Sequence, residues 1–261
     1  IRSLLLVWIA AGVVSCHGDL DIMQDNKLSA SNMWKEESDA TSATYGLYVY
    51  LRSALKSMND IYLCWGELRN GLWGPGTHNP LNGVDQSQVR TSTMSSVNEY
   101  ADWTALYTTV NQANLVIRHV PAMGLKEKPR AFCLGNAHFI RAYCFFQIAR
   151  IWGDAPLPLW GYESTDTELF LGRTPVSEVL MRVERDIADA ERYVADTSDK
   201  TVATPAAVAM LKADYALWMY RMQAGGEAYL AMAQEALGEL GLSDALLEPA
   251  YADIFSSSNK C

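Results

Sequence analysis

The sequence has no cluster of Lys or Arg: 30 acidic side chains outnumber 21 basic ones, for a formal charge of −9. Nucleic acid is excluded as a partner, because phosphate binding needs such clusters. An acidic chain suits a neutral or cationic ligand, or serves solubility alone. Cysteine is sparse. Cys16, Cys64, Cys133, Cys144 and Cys261 show neither C-x-x-C spacing nor the density of a stapled scaffold, so no zinc site and no disulfide framework is indicated. Histidine is sparser still, with His17, His78, His119 and His138 each standing alone. There is no nucleophile elbow, zinc helix motif, phosphate loop or dinucleotide fingerprint. Paired carboxylates could run a glycosidase, but most acids fall on solvated helix faces. The chain is therefore read as a non-enzyme without cofactor or metal.

Long apolar runs are also missing. Leu4 to Val14 spans eleven residues, against the roughly 20 that a membrane-crossing helix needs, so residues 1–15 read as a signal peptide. Only Arg2 stands for its basic region and no initiator Met precedes it, so the chain is expected to lack its first residues. The chain as a whole is 49% hydrophobic with a mean hydropathy near zero, as in a globular domain able to bury one sizeable core.

Helical periodicity dominates from about Ser38. The clearest stripe is Val176, Leu180, Val183, Ile187, Ala190 and Val194, with Arg182, Glu184, Arg185, Asp186, Asp189 and Arg192 between them as the solvated face. Thr174 before Pro175 reads as an N-cap followed by a first-turn proline, and Thr204 before Pro205 repeats that signal. The second of these helices runs through Val208, Leu211, Tyr215, Trp218 and Met222. Another stripe joins Trp103, Leu106, Val110, Ala113, Ile117 and Val120, closed by Pro121. Ala131 to Trp152 is apolar on nearly every face and belongs at the centre, with Cys133 and Cys144 as core residues and Arg141 as a buried structural arginine held by carbonyls or a carboxylate. Leu230, Ala233, Leu237 and Leu240 form a last short helix, stopped by Gly241. The pattern is all-α and reads as a tetratricopeptide-like scaffold, although an irregular helical bundle would carry the same stripes. Trp103, Trp152 and Trp218 lie on stripes and are expected to pack in the core.

Two segments read as irregular. Ile61 to about Ser96 is dense in Gly, Pro and Asn, and Gly153 to Arg173 crosses Pro156, Pro158 and Gly161. Long loops in a compact domain tend to carry function. The first holds Trp65, Glu67, Arg69, Asn70 and Trp73. A sugar ring offers an apolar C–H face for stacking and hydroxyls for polar groups, so aromatic platforms beside Asn, Arg and a carboxylate make these five the candidate ligand contacts. The competing role is structural: Trp65 and Trp73 would pin the loop, and Arg69 and Glu67 would pair.

Val13-Val14-Ser15-Cys16 resembles the lipobox of bacterial lipoproteins, which implies cleavage before Cys16 and lipidation on it. With three acyl chains, at about 0.8 kcal/mol per buried methylene, attachment is effectively permanent.

Cys16-His17-Gly18-Asp19-Leu20-Asp21, then Met33-Trp34, Asp39-Ala40 and Tyr45-Gly46-Leu47-Tyr48, resemble the start of SusD/RagB-like nutrient-uptake lipoproteins. Ala113-Asn114 with Val116-Ile117, Gly135 to Tyr143, Arg150 to Leu157, Arg173-Thr174-Pro175 and Thr204 to Ala207 resemble the family's later blocks, in order. Asn136 departs from the pattern, standing where a Glu is usual. The resemblance implies residues 16–34 as a lipidated tether, residues 35–261 as the amino-terminal helical domain, and a missing second half, since the family's members are about twice as long. It also implies an outer-membrane, surface-exposed protein that binds glycan and delivers it to a SusC-like TonB-dependent transporter, with ligand contacts drawn from the Glu67-Leu68-Arg69-Asn70 region. Two other readings stay open: a peptide-binding RagB-type uptake lipoprotein, and a helical-repeat scaffold lipoprotein with no nutrient ligand.

Overall fold

The computed structural model describes residues 33–72, 83–163, 170–196, 199–241 and 250. The signal-peptide segment and Cys16 lie outside the described residues. Among the described residues the fold is made of seven helices: α1 Glu37–Gly66, α2 Val84–Thr91, α3 Thr104–His119, α4 Glu127–Trp152, α5 Val176–Tyr193, α6 Pro205–Met222 and α7 Glu227–Gly238, with single 3-10 turns at Glu67–Arg69, Glu99–Ala101 and Val120–Ala122. The same residues contain no strand, only an isolated bridge between Ala155 and Thr174. The all-α tetratricopeptide-like expectation holds: α1 packs on α3, α4 on α5 and α6 on α7, and α4 also meets α1 and α3.

The central place of α4 follows from its composition. It lacks a polar face, and fourteen of its 26 residues are buried, from Cys133 to Ala149. By contrast α5 keeps one apolar stripe and turns Glu178, Arg185, Glu191 and Arg192 outward, while Asp186 is buried. Cys133 and Cys144 are fully buried, and burial pushes both thiols up.

The helix starts need one correction. At α6 the Thr204 hydroxyl accepts a hydrogen bond from the Ala207 N–H at 3.2 Å, with Pro205 in the first turn, as expected. At α5 the cap position is Pro175 itself, and Thr174 is held in the bridge to Ala155. The orphan N–H of Val176 donates to the Asp154 carboxylate at 2.8 Å. A side chain 22 residues upstream therefore caps the helix, which local sequence signals cannot reveal.

The stretch from Ile61 to Ser96 needs another. Its first six residues continue α1, and Val84–Thr91 is helical. Ile61, Cys64 and Leu68 follow helical spacing and bury against Val89 and Tyr100 in a small satellite core. That apolar stripe outweighs the turn formers, which begin in earnest only at Asn70.

Asn136 ties three elements together. Its amide donates to the Phe132 carbonyl at 2.7 Å, while its Oδ1 accepts from the Tyr48 hydroxyl and from the Ala203 N–H, the latter at 3.1 Å. The departure from Glu thus leaves a neutral, fully engaged buried group.

Two glycines are expected to respond with opposite signs. A Cβ on Gly135 would lie 2.9 Å from the Val194 backbone nitrogen and 3.0 Å from the Tyr193 carbonyl carbon, so α4 touches the end of α5 backbone to backbone. Gly135→Ala should cost about 1–3 kcal/mol through overpacking. Gly46 lies in α1 with nothing within 4 Å of a built Cβ. Gly46→Ala should gain about 0.5–1 kcal/mol from helix propensity. Urea midpoints of the two variants check both signs.

Candidate ligand-binding site

The candidate contacts sit where α1 ends. Glu67, Arg69 and Asn70 are exposed there, and the Asn70 amide donates to Glu67 Oε2 at 2.8 Å. Glu67 therefore takes a hydrogen bond from Asn70, where the competing structural role had it pair with Arg69. Trp73 lies outside the described residues. Trp65 is half-buried, and its indole N–H donates to the Tyr100 carbonyl at 2.8 Å, so it fastens α1 to the following turn. Arg69 and Trp65 share two hollows, of about 240 and 300 Å³.

From Trp65 a line of rings crosses to α3. Trp65 meets Trp152 edge-on at 5.3 Å, Trp152 meets Trp103 at 5.7 Å, and Trp103 meets Tyr107 at 5.5 Å. Trp152 donates to the Ala101 carbonyl at 3.1 Å. Trp103 and Trp152 were expected in the core. Trp152 and Trp103 do pack against it, yet both remain half-exposed.

At the α3 end of the line opens a cleft of about 510 Å³, walled by Trp103, Thr104, Tyr107, Thr108 and Asn111 on one side and by Pro156, Pro158, Tyr162, Phe170 and Leu171 on the other, with Asn114 beneath. That volume suits a small ligand. Sequence reasoning missed this site because its second wall comes from residues about 50 positions downstream of the first.

Amide clamps hold the walls together. Asn111 accepts from the Tyr162 N–H at 2.7 Å and donates to its carbonyl at 3.3 Å. Asn114 donates to the carbonyls of Pro158 and Trp160 at 3.0 and 3.1 Å. The Tyr107 hydroxyl donates to the Pro156 carbonyl at 2.7 Å, and burial pushes its pKa up, so it stays protonated. The spacing of Asn111 and Asn114 on one helix face was a usable signal, since two amides three residues apart can brace a proline-rich segment that lacks its own ladder.

Under the cleft lies a buried ion-pair knot. Arg141 donates Nε and Nη2 to the two carboxylate oxygens of Asp186 at 2.9 and 2.7 Å, and Nη1 to Asn114 Oδ1 at 2.7 Å. Arg182 also binds Asp186, and His138 Nδ1 lies 2.8 Å from it. The expectation of a carboxylate-held Arg141 stands, but Asp186 had been placed on the solvated face and is in fact fully buried. His138, Asp186 and Asp189 bring ligand-type atoms within 4.8 Å of one another. Two guanidinium groups already neutralise those carboxylates, so a divalent cation would meet like charge, and the cluster is structural. No helix among the described residues is long and apolar enough to cross a membrane.

Residues 76–217 match the SusD-like family model described as "Starch-binding associating with outer membrane". Two curated relatives come from Formosa agariphila. SusD-like protein P38 is 25% identical over 228 residues, covering 87% of this chain and 44% of the relative. SusD-like protein P25 is 26% identical over 280 residues, covering 98% and 49%. Among solved structures, B. fragilis NanU superposes with a TM-score of 0.72 at 27% identity, over 90% of this chain and 48% of that one. A SusD superfamily protein from Bacteroides vulgatus gives 0.73 at 27%, over 87% and 47%. The chain spans about half the length of these relatives. With the matched region covering more than half of its own residues, the chain belongs to the SusD-like family.

Proposed function

We propose that this protein is a surface-exposed outer-membrane lipoprotein, held through Cys16, that binds extracellular glycan and passes it to a SusC-like TonB-dependent transporter without catalysing a reaction. The observation that carries the reading is the unbroken line of rings from Trp65 through Trp152 and Trp103 to Tyr107, ending in a cleft braced by amides. Aromatic faces stack on sugar C–H faces, and a chain of them along a rigid helical frame suits an oligosaccharide. Arg69, Asn70 and Glu67, exposed at the other end, supply polar contacts there, and Trp73 a further platform. The family match adds support for the anchor, the glycan and the transporter.

Isothermal titration against neutral and acidic oligosaccharides and against peptides tests the ligand. Heat should appear with an oligosaccharide, and Arg69→Ala and Trp73→Ala should each weaken binding by about tenfold, the worth of one good polar or stacking contact. Heat with peptides alone would move the protein to the peptide-uptake branch, and silence from both would leave a scaffold role. Palmitate-analogue labelling tests the anchor, and label should vanish in Cys16→Ala.

A further inference from the structure

At the Trp65 end of the ring line, the carboxy-terminal ends of α1, α4 and α6 enclose the hollow of about 240 Å³, whose side chains include Tyr62, Trp65, Arg69, Gln147, Arg150 and Trp218. Two of its own hydrogen-bonding groups are engaged: the Trp65 indole on the Tyr100 carbonyl, and Gln147 with Tyr143. The others are unspent donors. Among the described residues Arg69 makes no hydrogen bond or ion pair, and neither the Tyr62 hydroxyl nor the Trp218 indole N–H has a partner. Arg150 places Nη1 on Asp214 at 2.7 Å and lies 4.7 and 5.4 Å over the Phe146 and Trp218 rings, so its guanidinium is fixed while Nε and Nη2 stay free. No described carboxylate lines the hollow. The two adjoining ones are occupied, Asp214 by Arg150 and Glu67 by the Asn70 amide. The chain's formal charge of −9 acts weakly here, because exposed charges more than about 8 Å apart are largely screened at physiological ionic strength. Trp65, Arg69 and Ile151 also line the second hollow, which Trp152 reaches, so the site adjoins the ring line.

Resting on the glycan-binding reading above, we propose that this hollow is the subsite for an acidic sugar, with Arg69 and Arg150 receiving the carboxylate of a uronate ring and Trp65 and Trp218 supplying aromatic surface for its C–H face. A guanidinium matches a planar carboxylate with paired, charge-assisted hydrogen bonds, and Arg150 is already held in place, so little freedom is lost on binding. A neutral ring offers the same donors only hydroxyl oxygens, and those bonds are roughly half as strong. The volume holds one ring, and the rest of the glycan follows Trp65 and Trp152. Arginines at helix ends also answer the carbonyl dipoles there, a role that would leave the charge of the ligand without effect.

The test is isothermal titration of the protein with acidic hexasaccharides (hexagalacturonate, hexamannuronate, a hyaluronan hexasaccharide), with the same three after methyl esterification of their carboxyls, and with neutral maltohexaose and xylohexaose. At least one acidic sugar should bind, and its ester should bind about tenfold more weakly. Arg69→Gln and Arg150→Gln should each weaken the acidic sugar by about tenfold and change the ester by less than about twofold. Both variants keep the fold: Arg69 has no partner to lose, and Asp214, 55% exposed, has water in place of Arg150. If only neutral sugars bind, or acid and ester bind equally, the glycan reading stands and this subsite is overturned. Acidic binding that survives both variants overturns it too. If no oligosaccharide binds, the glycan reading itself fails and the subsite with it.

Discussion

Asp186→Ala is expected to lower stability by about 3–5 kcal/mol, because it strands a charge in the core and removes more than a single contact. Arg141, 3% exposed, places both Nε and Nη2 on that carboxylate, and Arg182 and His138 converge on it as well. Without Asp186 the Arg141 guanidinium is left with its bond to Asn114, and Asn114 is itself the clamp for the Pro158 and Trp160 carbonyls. Damage in the knot therefore travels to the cleft wall above it. For a domain stable by about 5–15 kcal/mol this is a large fraction. A urea melt followed by circular dichroism gives the number. A loss under about 1 kcal/mol would mean that water reaches the guanidinium.

The same residue sets an acid limit. Burial alone would raise the Asp186 pKa, but hydrogen bonds from His138, Arg141 and Arg182, with the charge of Arg141, outweigh it and hold the carboxyl well below the usual carboxylate range. A carboxylate depressed in the folded state contributes its full stability above the unfolded value, near about 4, and loses it as pH falls toward the folded one. The stability gap between the unaltered protein and Asp186→Asn should therefore narrow as pH drops from roughly 5 to roughly 2. A gap that widens over that window would mean that burial, and not the guanidinium groups, governs this carboxyl.

Phe146→Ala is expected to lose about 3–5 kcal/mol by opening a cavity at the joint of α4 and α6. Phe146 is fully buried, meets Tyr215 edge-on at 5.8 Å and Trp218 at 6.3 Å, and carries the Arg150 guanidinium 4.7 Å over its ring. Arg150 also lies over Trp218 and pairs with Asp214 at 2.7 Å, so the ring is a platform for a surface ion pair as well as filler. Backbones cannot close such a gap when both helices are fixed by other contacts, and the cavity term is kept in full. Phe146→Leu, nearer in volume, should cost about 1.5 kcal/mol or less. Equal losses in the two variants would assign the effect to the aromatic and cation contacts instead of to volume.

Much of the fold was already written in local patterns. The stripe from Val176 to Val194 set both the helical state and the buried face of α5, since period and hydrophobicity act over neighbouring turns. Thr204-Pro205 set the start of α6 by the same local logic, and the apolar run from Ala131 to Trp152 required a helix surrounded by others. The proposed lipidation at Cys16, too, rests on a linear motif, and the expectation of a glycan ligand arose from Trp65, Glu67, Arg69, Asn70 and Trp73.

Distance in the chain hid the rest. Asp186 carries the same sequence signature as its partly exposed neighbour Asp189, and only the arrival of Arg141 from another helix turned it into the core. Asp154 became a helix cap because the bridge between Ala155 and Thr174 folded it back onto α5. The cleft exists because Asn111 and Asn114 hold a segment some 50 residues away, and Trp103 is one of the rings that line it. Local sequence fixes which residues are apolar and where helices begin. Packing alone decides which charges meet and which distant segments are braced against one another.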